Sequence, residues 1–291
     1  MTLSIGILHP GAMGLSVAAS AQNSGNIVYW ASEGRSPQTA ERAARINLLD
    51  AGSLAALCET CSVILSLCPP AAAEAQAHDV LALGFRGLYV DMNAIAPQRV
   101  KRIAETMAAQ GTRFVSGSII GSPAWQPNTT WLYLSGADAQ SAADFFKSGP
   151  LETEVLGDDI TKATSLKMCF AAYSKGTTAL LSAVMATAES LNVREDLERQ
   201  WSRNGSIFAE QSAKNVQQVT AKAWRFSGEM EEIAATFAGA GLPDAFHLAA
   251  ADIYQRMAGF KGADPLPPLE DILAALIRKP VEESPSLKTT D

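Results

Sequence analysis

The sequence has 291 residues, of which 47% are hydrophobic and 18% charged, a balance typical of a globular protein and unlike that of a disordered or collagen-like chain. Its 23 lysines and arginines against 30 aspartates and glutamates give a formal net charge of -7, which argues against a nucleic-acid partner. The length favours two domains, because one hydrophobic core rarely organises so many residues.

The amino-terminal segment carries no recognisable export signal. Its first six residues, MTLSIG, lack the charged stretch, the long apolar segment and the cleavage site of a signal peptide. The alanine-rich stretches that follow are interrupted by Glu, Asp, Lys and Gln, and none approaches the run of about 18 apolar residues that a membrane span needs. We therefore expect a cytoplasmic protein that does not associate with membranes.

The first half of the chain alternates short β-branched runs with helical segments, a pattern typical of a parallel sheet with crossover helices. The strands are predicted near residues 3–8, 26–31, 62–67, 87–91, 112–116, 130–135 and 153–156. Between them apolar residues recur at helical spacing, as they do over residues 97–109. Residues 1–158 are therefore predicted to form a Rossmann-type α/β domain.

From about Asp159 onward the strand signal stops, and Ala-, Leu- and Met-rich segments with helical periodicity continue to Arg278. The first helix of this half is predicted over residues 160–191, with Asn192 as its stop, and such a length suits a helix that links domains or lies in a dimer interface. An all-α domain is thus predicted over residues 159–279. Residues 280–291 are polar enough to form a disordered tail.

A glycine-containing turn follows the first strand and precedes an apolar helix, the setting in which a dinucleotide-binding fingerprint is informative. The loop reads His9-Pro10-Gly11-Ala12-Met13-Gly14. Gly11 and Gly14 stand where the second and third glycines of G-x-G-x-x-G approach the pyrophosphate and allow close helix packing. His9 replaces the first glycine, and Pro10 restricts His9 to the extended region. The sequence predicts a nicotinamide dinucleotide here, with His9 as a candidate contact.

The end of the second strand bears on the choice of cofactor. An NAD-specific domain presents an acid to the adenosine ribose about 20 residues past the loop, and no Asp is found there. Ser32, Arg35 and Ser36 could instead hold the 2′-phosphate of NADP, whereas Glu33 could reach a 2′-hydroxyl. We favour NADP and leave NAD open.

Cys58 and Cys61 form a CxxC, a spacing found in metal and redox sites. No second CxxC or nearby pair of histidines completes a zinc site, and Cys61 leads straight into an apolar strand. We expect buried or half-buried thiols and no metal.

The motifs together resemble those of the β-hydroxyacid dehydrogenase and 6-phosphogluconate dehydrogenase superfamily, which also contains imine reductases. The resemblance covers nearly the whole chain. Its segments are Ile5–Gly14, the cofactor loop at Leu67-Cys68-Pro69-Pro70, Asp91–Pro97, the loosely matching substrate loop at Val115–Ser122, and Lys167-Met168-Cys169-Phe170-Ala171. It implies cofactor contacts at Leu67, Cys68 and Pro69. Asn93, just after a strand that ends at Asp91, could bind the nicotinamide ribose or the substrate, and an Asx-turn is its alternative role.

Lys167 is placed as the family's catalytic lysine, and we expect it to exchange a proton with the substrate oxygen during hydride transfer. By helical spacing, Phe170, Ala171 and Ser174 share its face. Relatives carry amide residues where this chain has Phe170 and Ala171, so the pocket is expected to be less polar. Ser118, Gly121 and Ser122 lie at the expected end of a strand and are candidate substrate contacts, with turn formation as the alternative.

These observations predict an NADP-dependent oxidoreductase that acts on a small hydroxy acid, or on an alcohol and its ketone, and that forms a homodimer. An imine reductase is an alternative within the fold, although such enzymes usually carry Asp or Tyr at the position of Lys167. A cofactor-sensing protein without chemistry is a second alternative, since a Rossmann domain does not by itself imply catalysis. Arg225 and His247 are weaker candidates, the first for binding a carboxylate and the second for carrying a proton.

Overall fold

The computed structural model describes residues 2–277, which group into two compact units. The first comprises residues 2–171 together with Glu232–Asp244, and the second comprises Ala172–Glu231 and residues 245–277. The domains of residues 1–158 and 159–279 stay a prediction. The predicted disordered tail, residues 280–291, lies outside the described residues.

The first unit is built on an eight-stranded sheet with the order β3-β2-β1-β4-β5-β6-β7-β8. In chain order the strands are β1 (Ser4–Ile7), β2 (Ile27–Trp30), β3 (Leu49–Asp50), β4 (Val63–Ser66), β5 (Leu88–Asp91), β6 (Arg113–Gly121), β7 (Thr130–Ser135) and β8 (Glu152–Val155). Neighbouring strands are parallel except β6 and β7, which are antiparallel. The predicted α/β Rossmann class is confirmed.

Helices cover both faces of this sheet, because alternate residues of each buried strand point to opposite sides. The helices are α1 (Ala12–Asn23), α2 (Pro37–Arg45), α3 (Leu54–Thr60), α4 (Ala73–Ala82), α5 (Pro97–Ala109) and α6 (Ala139–Ala143). Ile7 and Val90 belong to the apolar layer that contains Val17 of α1. Ile64 of β4 and Tyr89 of β5 belong to the opposite layer, which contains the buried residues of α5. An apolar core on each face of the sheet therefore fixes the positions at which the strands end.

Two strands differ from the sequence prediction. β3 was missed, because a strand of two residues produces no periodic pattern. β6 was predicted to end at residue 116 and continues to Gly121, since its second half forms a ladder with β7 in which Ser116 is opposite Ser135 and Gly121 is opposite Thr130. The predicted loop position of Ser118 is therefore wrong, and Ser118 lies within β6.

The rest of the described chain is helical, with no strand after Val155 up to residue 277, which confirms the predicted all-α second half. The helices are α7 (Lys162–Ser190), α8 (Arg194–Trp201), α9 (Phe208–Thr220), α10 (Ala223–Gly239), α11 (Ala245–Arg256) and α12 (Leu269–Ile277). Asn192, with φ of 55°, follows the end of the long helix as predicted. None of the helices in the described part of the chain is long and apolar enough to cross a membrane.

The second unit is held by buried contacts between its helices. Lys175 on α7 forms an ion pair of 2.9 Å with Glu229 on α10, and the Tyr254 hydroxyl on α11 donates to the Lys175 carbonyl oxygen at 2.8 Å. These contacts join the three helices beneath the half-buried ring of Phe226, which lies 4.9 Å from the Lys175 amino group.

Candidate functional site

A crevice is expected where the strand order reverses direction. From β1 the sheet extends to β2 and β3 on one side and to β4, β5 and β6 on the other. The loops leaving the carboxyl ends of β1 and β4 diverge at this point, where open α/β sheets bind their ligands. The predicted cofactor residues that share this edge through the loops after β1, β4 and β5 are His9, Pro10, Gly11, Ala12, Met13, Gly14, Leu67, Cys68, Pro69 and Asn93.

The loop after β1 has the backbone of a phosphate-binding turn. A Cβ atom added at Gly11 would meet nothing within 4 Å, whereas one added at Gly14 would lie 2.2 Å from the His9 carbonyl oxygen. Gly11 thus allows a ligand to approach the backbone, and Gly14 lets α1 pack closely on the loop. The N-cap residue of α1 is Gly11, which has no side chain to cap the helix, so the first amide groups of α1 suit an anion.

Hydrogen bonds shape the loop after β2. The Ser32 amide donates to Asp50 Oδ1 at 3.3 Å, and the Ser36 hydroxyl caps α2 by accepting from the Thr39 amide at 3.3 Å. Ser36 therefore has a structural role besides its predicted cofactor contact. Asp50 was not singled out from the sequence, because it belongs to the strand that was missed.

Arg35, in the same loop, lies within electrostatic reach of His9. Burial and, to a smaller extent, the Arg35 charge lower the pKa of His9 to about 4. Nδ1 of His9 and Nε of Arg35 are both buried, and among the described residues neither atom has a hydrogen-bond partner. His9 is thus neutral near pH 7 and faces a fixed positive charge.

Asn93 is enclosed in a buried network at the ends of β4 and β5. Its Oδ1 accepts from the Cys68 amide at 2.6 Å, and its Nδ2 donates to Ser66 Oγ at 3.1 Å and to Asp91 Oδ2 at 3.0 Å. Its own amide donates to Asp91 Oδ1 at 2.9 Å, which is an Asx-turn. Both amide hydrogens of the Asn93 side chain are used, so its predicted contact with the cofactor competes with a structural role.

Lys167 lies at the same edge of the sheet as the phosphate-binding loop. Its Nζ donates to the carbonyl oxygen of Ile119 at 2.9 Å. β5 ends at Asp91, opposite Ser116 of β6, so Ile119 lies three residues beyond the end of the parallel ladder. The bond therefore holds the amino group beyond the carboxyl ends of the strands, where a bound nicotinamide is expected.

The predicted substrate residues are in differing environments. Ser118 is fully buried within β6, and its hydroxyl has no hydrogen-bond partner in the described part of the chain. Gly121 and Ser122 are exposed, and the Ser122 carbonyl accepts from the Thr130 hydroxyl at 2.5 Å. Phe170, one turn after Lys167, is 50% exposed. Ser174 follows on the same helix within the second unit.

Comparison with known families agrees with this geometry. Residues 4–147 match the model described as the NAD binding domain of 6-phosphogluconate dehydrogenase. The chain carries an NAD-binding domain of the 6-phosphogluconate dehydrogenase type. Residues 188–257 match a domain of unknown function, DUF1932. The family resemblance predicted from the motifs is confirmed, and no curated protein matches the sequence.

Solved structures extend the likeness beyond the NAD-binding domain. A conserved protein of unknown function, described as similar to 3-hydroxyacid dehydrogenases, is 26% identical with a TM-score of 0.64 over 90% of this chain and 100% of its own. The 3-hydroxyisobutyrate dehydrogenase of Mycobacterium tuberculosis is 16% identical, with a TM-score of 0.68 over 95% of this chain and 99% of its own. An imine reductase from a Pseudomonas species is 20% identical, with a TM-score of 0.53 over 95% and 100%. The last two show a shared fold.

The residues of the NAD-binding domain fit a dinucleotide. The open space at Gly11 and the first amides of α1 suit the pyrophosphate. The buried atoms of His9 and Arg35 that have no hydrogen-bond partner in the described part of the chain suit a further charged group. The hydrogen-bonding groups of a bound cofactor would satisfy atoms that the described chain leaves unsatisfied.

Glu232 is a buried acid of the first unit that the sequence analysis did not identify. Its Oε2 accepts from the Ala96 amide at 2.7 Å, and its Oε1 pairs with the Arg99 guanidinium. Ala96 is the residue that precedes α5, so the carboxylate caps that helix. A single Glu more than 130 residues further along gives no local pattern by which this cap could be predicted.

The CxxC pair does not have the electrostatics of a redox site. Burial raises the pKa of Cys58 to about 11 and that of Cys61 to about 12. Redox motifs instead place a cysteine at a helix amino terminus, which lowers its pKa, whereas Cys61 follows the end of α3. In the second unit, Arg225 stacks on Phe226 at 5.5 Å, and burial lowers the pKa of His247.

Proposed function

We propose that the protein is an NADP-dependent oxidoreductase that transfers a hydride between the nicotinamide and the carbinol or carbonyl carbon of a small hydroxy compound. The observation that carries this proposal is the position of Lys167, whose amino group is held by the Ile119 carbonyl at the cofactor edge of the sheet. Lys167 acts as the general acid and base that exchanges a proton with the substrate oxygen. NADP(H), when bound, supplies or accepts the hydride.

The preference for NADP rests on the end of β2, which carries no Asp and is followed by Arg35, whose buried Nε has no hydrogen-bond partner among residues 2–277. A guanidinium binds a phosphate dianion by charge-assisted hydrogen bonds that a ribose hydroxyl cannot match. NADPH is expected to bind at least about tenfold more tightly than NADH. Calorimetry with both cofactors checks this, and equal affinities, or an Arg35→Ala variant with unchanged NADPH binding, would reject the preference.

The proposed substrates are hydroxy acids, or alcohols and their ketones. The relatives described as 3-hydroxyacid dehydrogenase-like and as 3-hydroxyisobutyrate dehydrogenase support this class. A panel of hydroxy acids, aryl and alkyl alcohols, ketones and imines, followed by NADPH absorbance, tests it directly. Turnover of a hydroxy acid or alcohol that Lys167→Ala abolishes is the expected result, and a panel without any turnover would contradict the proposal.

Imine reduction is a second candidate. Imine reductases share the fold, and the half-exposed Phe170 beside Lys167 suits an apolar amine substrate. The same panel separates the two candidates, because an imine reductase would oxidise no alcohol at a comparable rate.

We also propose that the protein is a symmetric homodimer that associates along α7. Large apolar residues lie exposed along one face of this helix, at Leu166, Phe170, Tyr173 and Leu180. Their spacings of four, three and seven residues keep them in one stripe, which a second copy of the same helix would cover. Light scattering at micromolar concentration should give twice the chain mass of 30.7 kDa. A particle of single-chain mass would remove this proposal.

A further inference from the structure

His9 and Arg35 form an unusual pair at the adenosine side of the crevice. The imidazole Nδ1 and the guanidinium Nε are each buried and lack a hydrogen-bond partner among the described residues. A buried polar atom without a hydrogen-bond partner destabilises the folded protein, so two at one place require a physical explanation. A ligand that accepts hydrogen bonds from both side chains would supply one.

The charges around His9 indicate the charge that this ligand is expected to carry. The Arg35 charge acts both on His9 after β1 and on Cys68 after β4, so it is felt across the crevice. Burial raises the pKa of Cys68 to about 12, which leaves this thiol neutral. The first turn of α1 contributes no acidic residue. The surroundings of His9 are therefore positive overall and suit an anion.

Two carboxylates lie on the neighbouring loops. Glu33, two residues before Arg35, is exposed. Asp50, at the end of β3, accepts from the amides of Ser32 and Gly52 at 3.3 and 2.7 Å. Neither carboxylate bonds to His9 Nδ1 or Arg35 Nε, which have no partner in the described part of the chain. The anion for this pair is thus expected to come from a ligand.

We propose that His9, together with Arg35, recognises the dianionic 2′-phosphate of NADP, and that His9 takes up one proton from solvent when this phosphate binds. The inference rests on the proposed NADP-dependent function. In the unliganded protein, burial and the Arg35 charge hold the pKa of His9 near 4. A phosphate dianion neutralises Arg35 and favours the imidazolium, which then donates a charge-assisted hydrogen bond. The uncharged 2′-hydroxyl of NAD cannot produce this change.

The position of His9 in the fingerprint makes it suited to this role. It occupies the place of the first glycine, which lies beside the end of β2 in the sheet. Its backbone is held between neighbours, since its carbonyl accepts from the Gly11 amide at 2.8 Å and lies against Gly14. A side chain here adds a titratable donor without changing the glycines at which the pyrophosphate is expected to bind.

The test is the number of protons taken up on binding, measured by calorimetry in buffers of different ionisation enthalpy near pH 6.5. The wild type should take up at least about half a proton more than His9→Asn on binding NADPH, because the phosphate needs only to restore the ordinary imidazole pKa of about 6.5. The 2′-phosphate itself titrates near pH 6, and the difference between the two proteins cancels that contribution. With NADH the two proteins should not differ.

His78, exposed on α4, provides a matched control. His78→Asn should behave as the wild type with both cofactors. His9→Gly, which restores the glycine of the fingerprint, is a second variant in case His9→Asn does not fold. It should bind NADH at least as well as the wild type. Between about pH 6.5 and 8.5 the wild type should lose at least about twofold more NADPH affinity than either His9 variant, since its bound proton is lost there.

The outcomes separate the inference from the function on which it rests. One outcome overturns the role of His9 alone. In it NADPH binds more tightly than NADH and Arg35→Ala weakens NADPH binding, but the wild type and His9→Asn take up equal numbers of protons. Equal binding of NADPH and NADH overturns both that role and the NADP preference. Absence of binding by either cofactor overturns the proposed function and the inference together.

Discussion

The two sides of the crevice differ in whether their buried polar atoms have hydrogen-bond partners within the described part of the chain. On the side of β2, His9 and Arg35 bury atoms that have no hydrogen-bond partner among the described residues. On the side of β5, Asn93 uses both amide hydrogens and its carbonyl oxygen within the protein. Unsatisfied atoms indicate where a charged ligand is expected, whereas a satisfied network indicates scaffolding. We therefore expect the polar residues on the two sides of this sheet edge to have different roles.

The largest expected effect concerns Lys167, which is tied to the β6 backbone yet is proposed to carry the chemistry. Loss of a positioned acid or base usually lowers the rate by about 10²–10⁴-fold, and Lys167→Ala should reduce kcat to this extent. Cofactor affinity should stay within about threefold of the wild-type value, because the lysine is assigned to the substrate. Steady-state kinetics and calorimetry on the same preparations measure both quantities. Near wild-type turnover would show that the mechanism is wrong.

Asn93 tests whether the β5 side is scaffolding. In Asn93→Ala the Cys68 amide loses its acceptor, Asn93 Oδ1, and the Asp91 carboxylate loses the donor Asn93 Nδ2. Leaving such buried groups unsatisfied should lower the free energy of unfolding by about 2–4 kcal/mol. Denaturant titration measures this loss. A change below about 0.5 kcal/mol together with weakened NADPH binding would instead support the cofactor contact predicted from the sequence.

Asp91 sharpens the same comparison through pH. Burial raises the pKa of this carboxyl from 3.8 to about 6, although its hydrogen bonds with Asn93 oppose the shift. The folded state therefore binds more protons than the unfolded state between about pH 4 and 6, and stability falls as the pH rises through this window. The change amounts to about 3 kcal/mol for a shift of two units. Asp91→Asn should flatten this part of the stability profile, and parallel profiles for the two proteins would contradict the assignment.

The sequence predicted the elements whose signals are local. The parallel strands other than the two-residue β3, the long helix and the two fingerprint glycines were predicted from short runs, periodicity and spacing. Partners distant in the chain could not be predicted in this way. The hairpin of β6 with β7 moved Ser118 from a loop into a buried strand, and the cap from Glu232 joins a helix more than 130 residues away. Such contacts depend on tertiary packing, which leaves no pattern within one segment.

The site shows the same division. His9 and Arg35 were recognised as candidates because they stand at fixed offsets from the first two strands, but their electrostatic coupling became visible only once the strands were adjacent. Asn93 was recognised too, with its role left open between the cofactor and a turn. Its hydrogen bonds to the loop after β4 depend on the pairing of β4 with β5. Sequence spacing thus identified residues, and packing distinguished their environments.

The smallest expected effect concerns substrate polarity at Phe170, which is half-exposed one turn after Lys167. A buried hydroxyl without a partner costs roughly 1–3 kcal/mol, so a phenyl ring here should disfavour polyhydroxylated substrates. Phe170→Asn should narrow the preference for aryl or alkyl substrates over sugar-like ones by about tenfold in kcat/KM, which corresponds to about 1.4 kcal/mol. Cys169→Ser, an exposed change at the preceding position, should leave the preference unaltered. Light scattering on each variant shows whether association along α7 has changed, because a change in association could also alter the substrate preference.

If 6-phosphogluconate is the best substrate of the wild type, the pocket is polar despite Phe170. The argument about substrate polarity then fails, while the role of Lys167 stands.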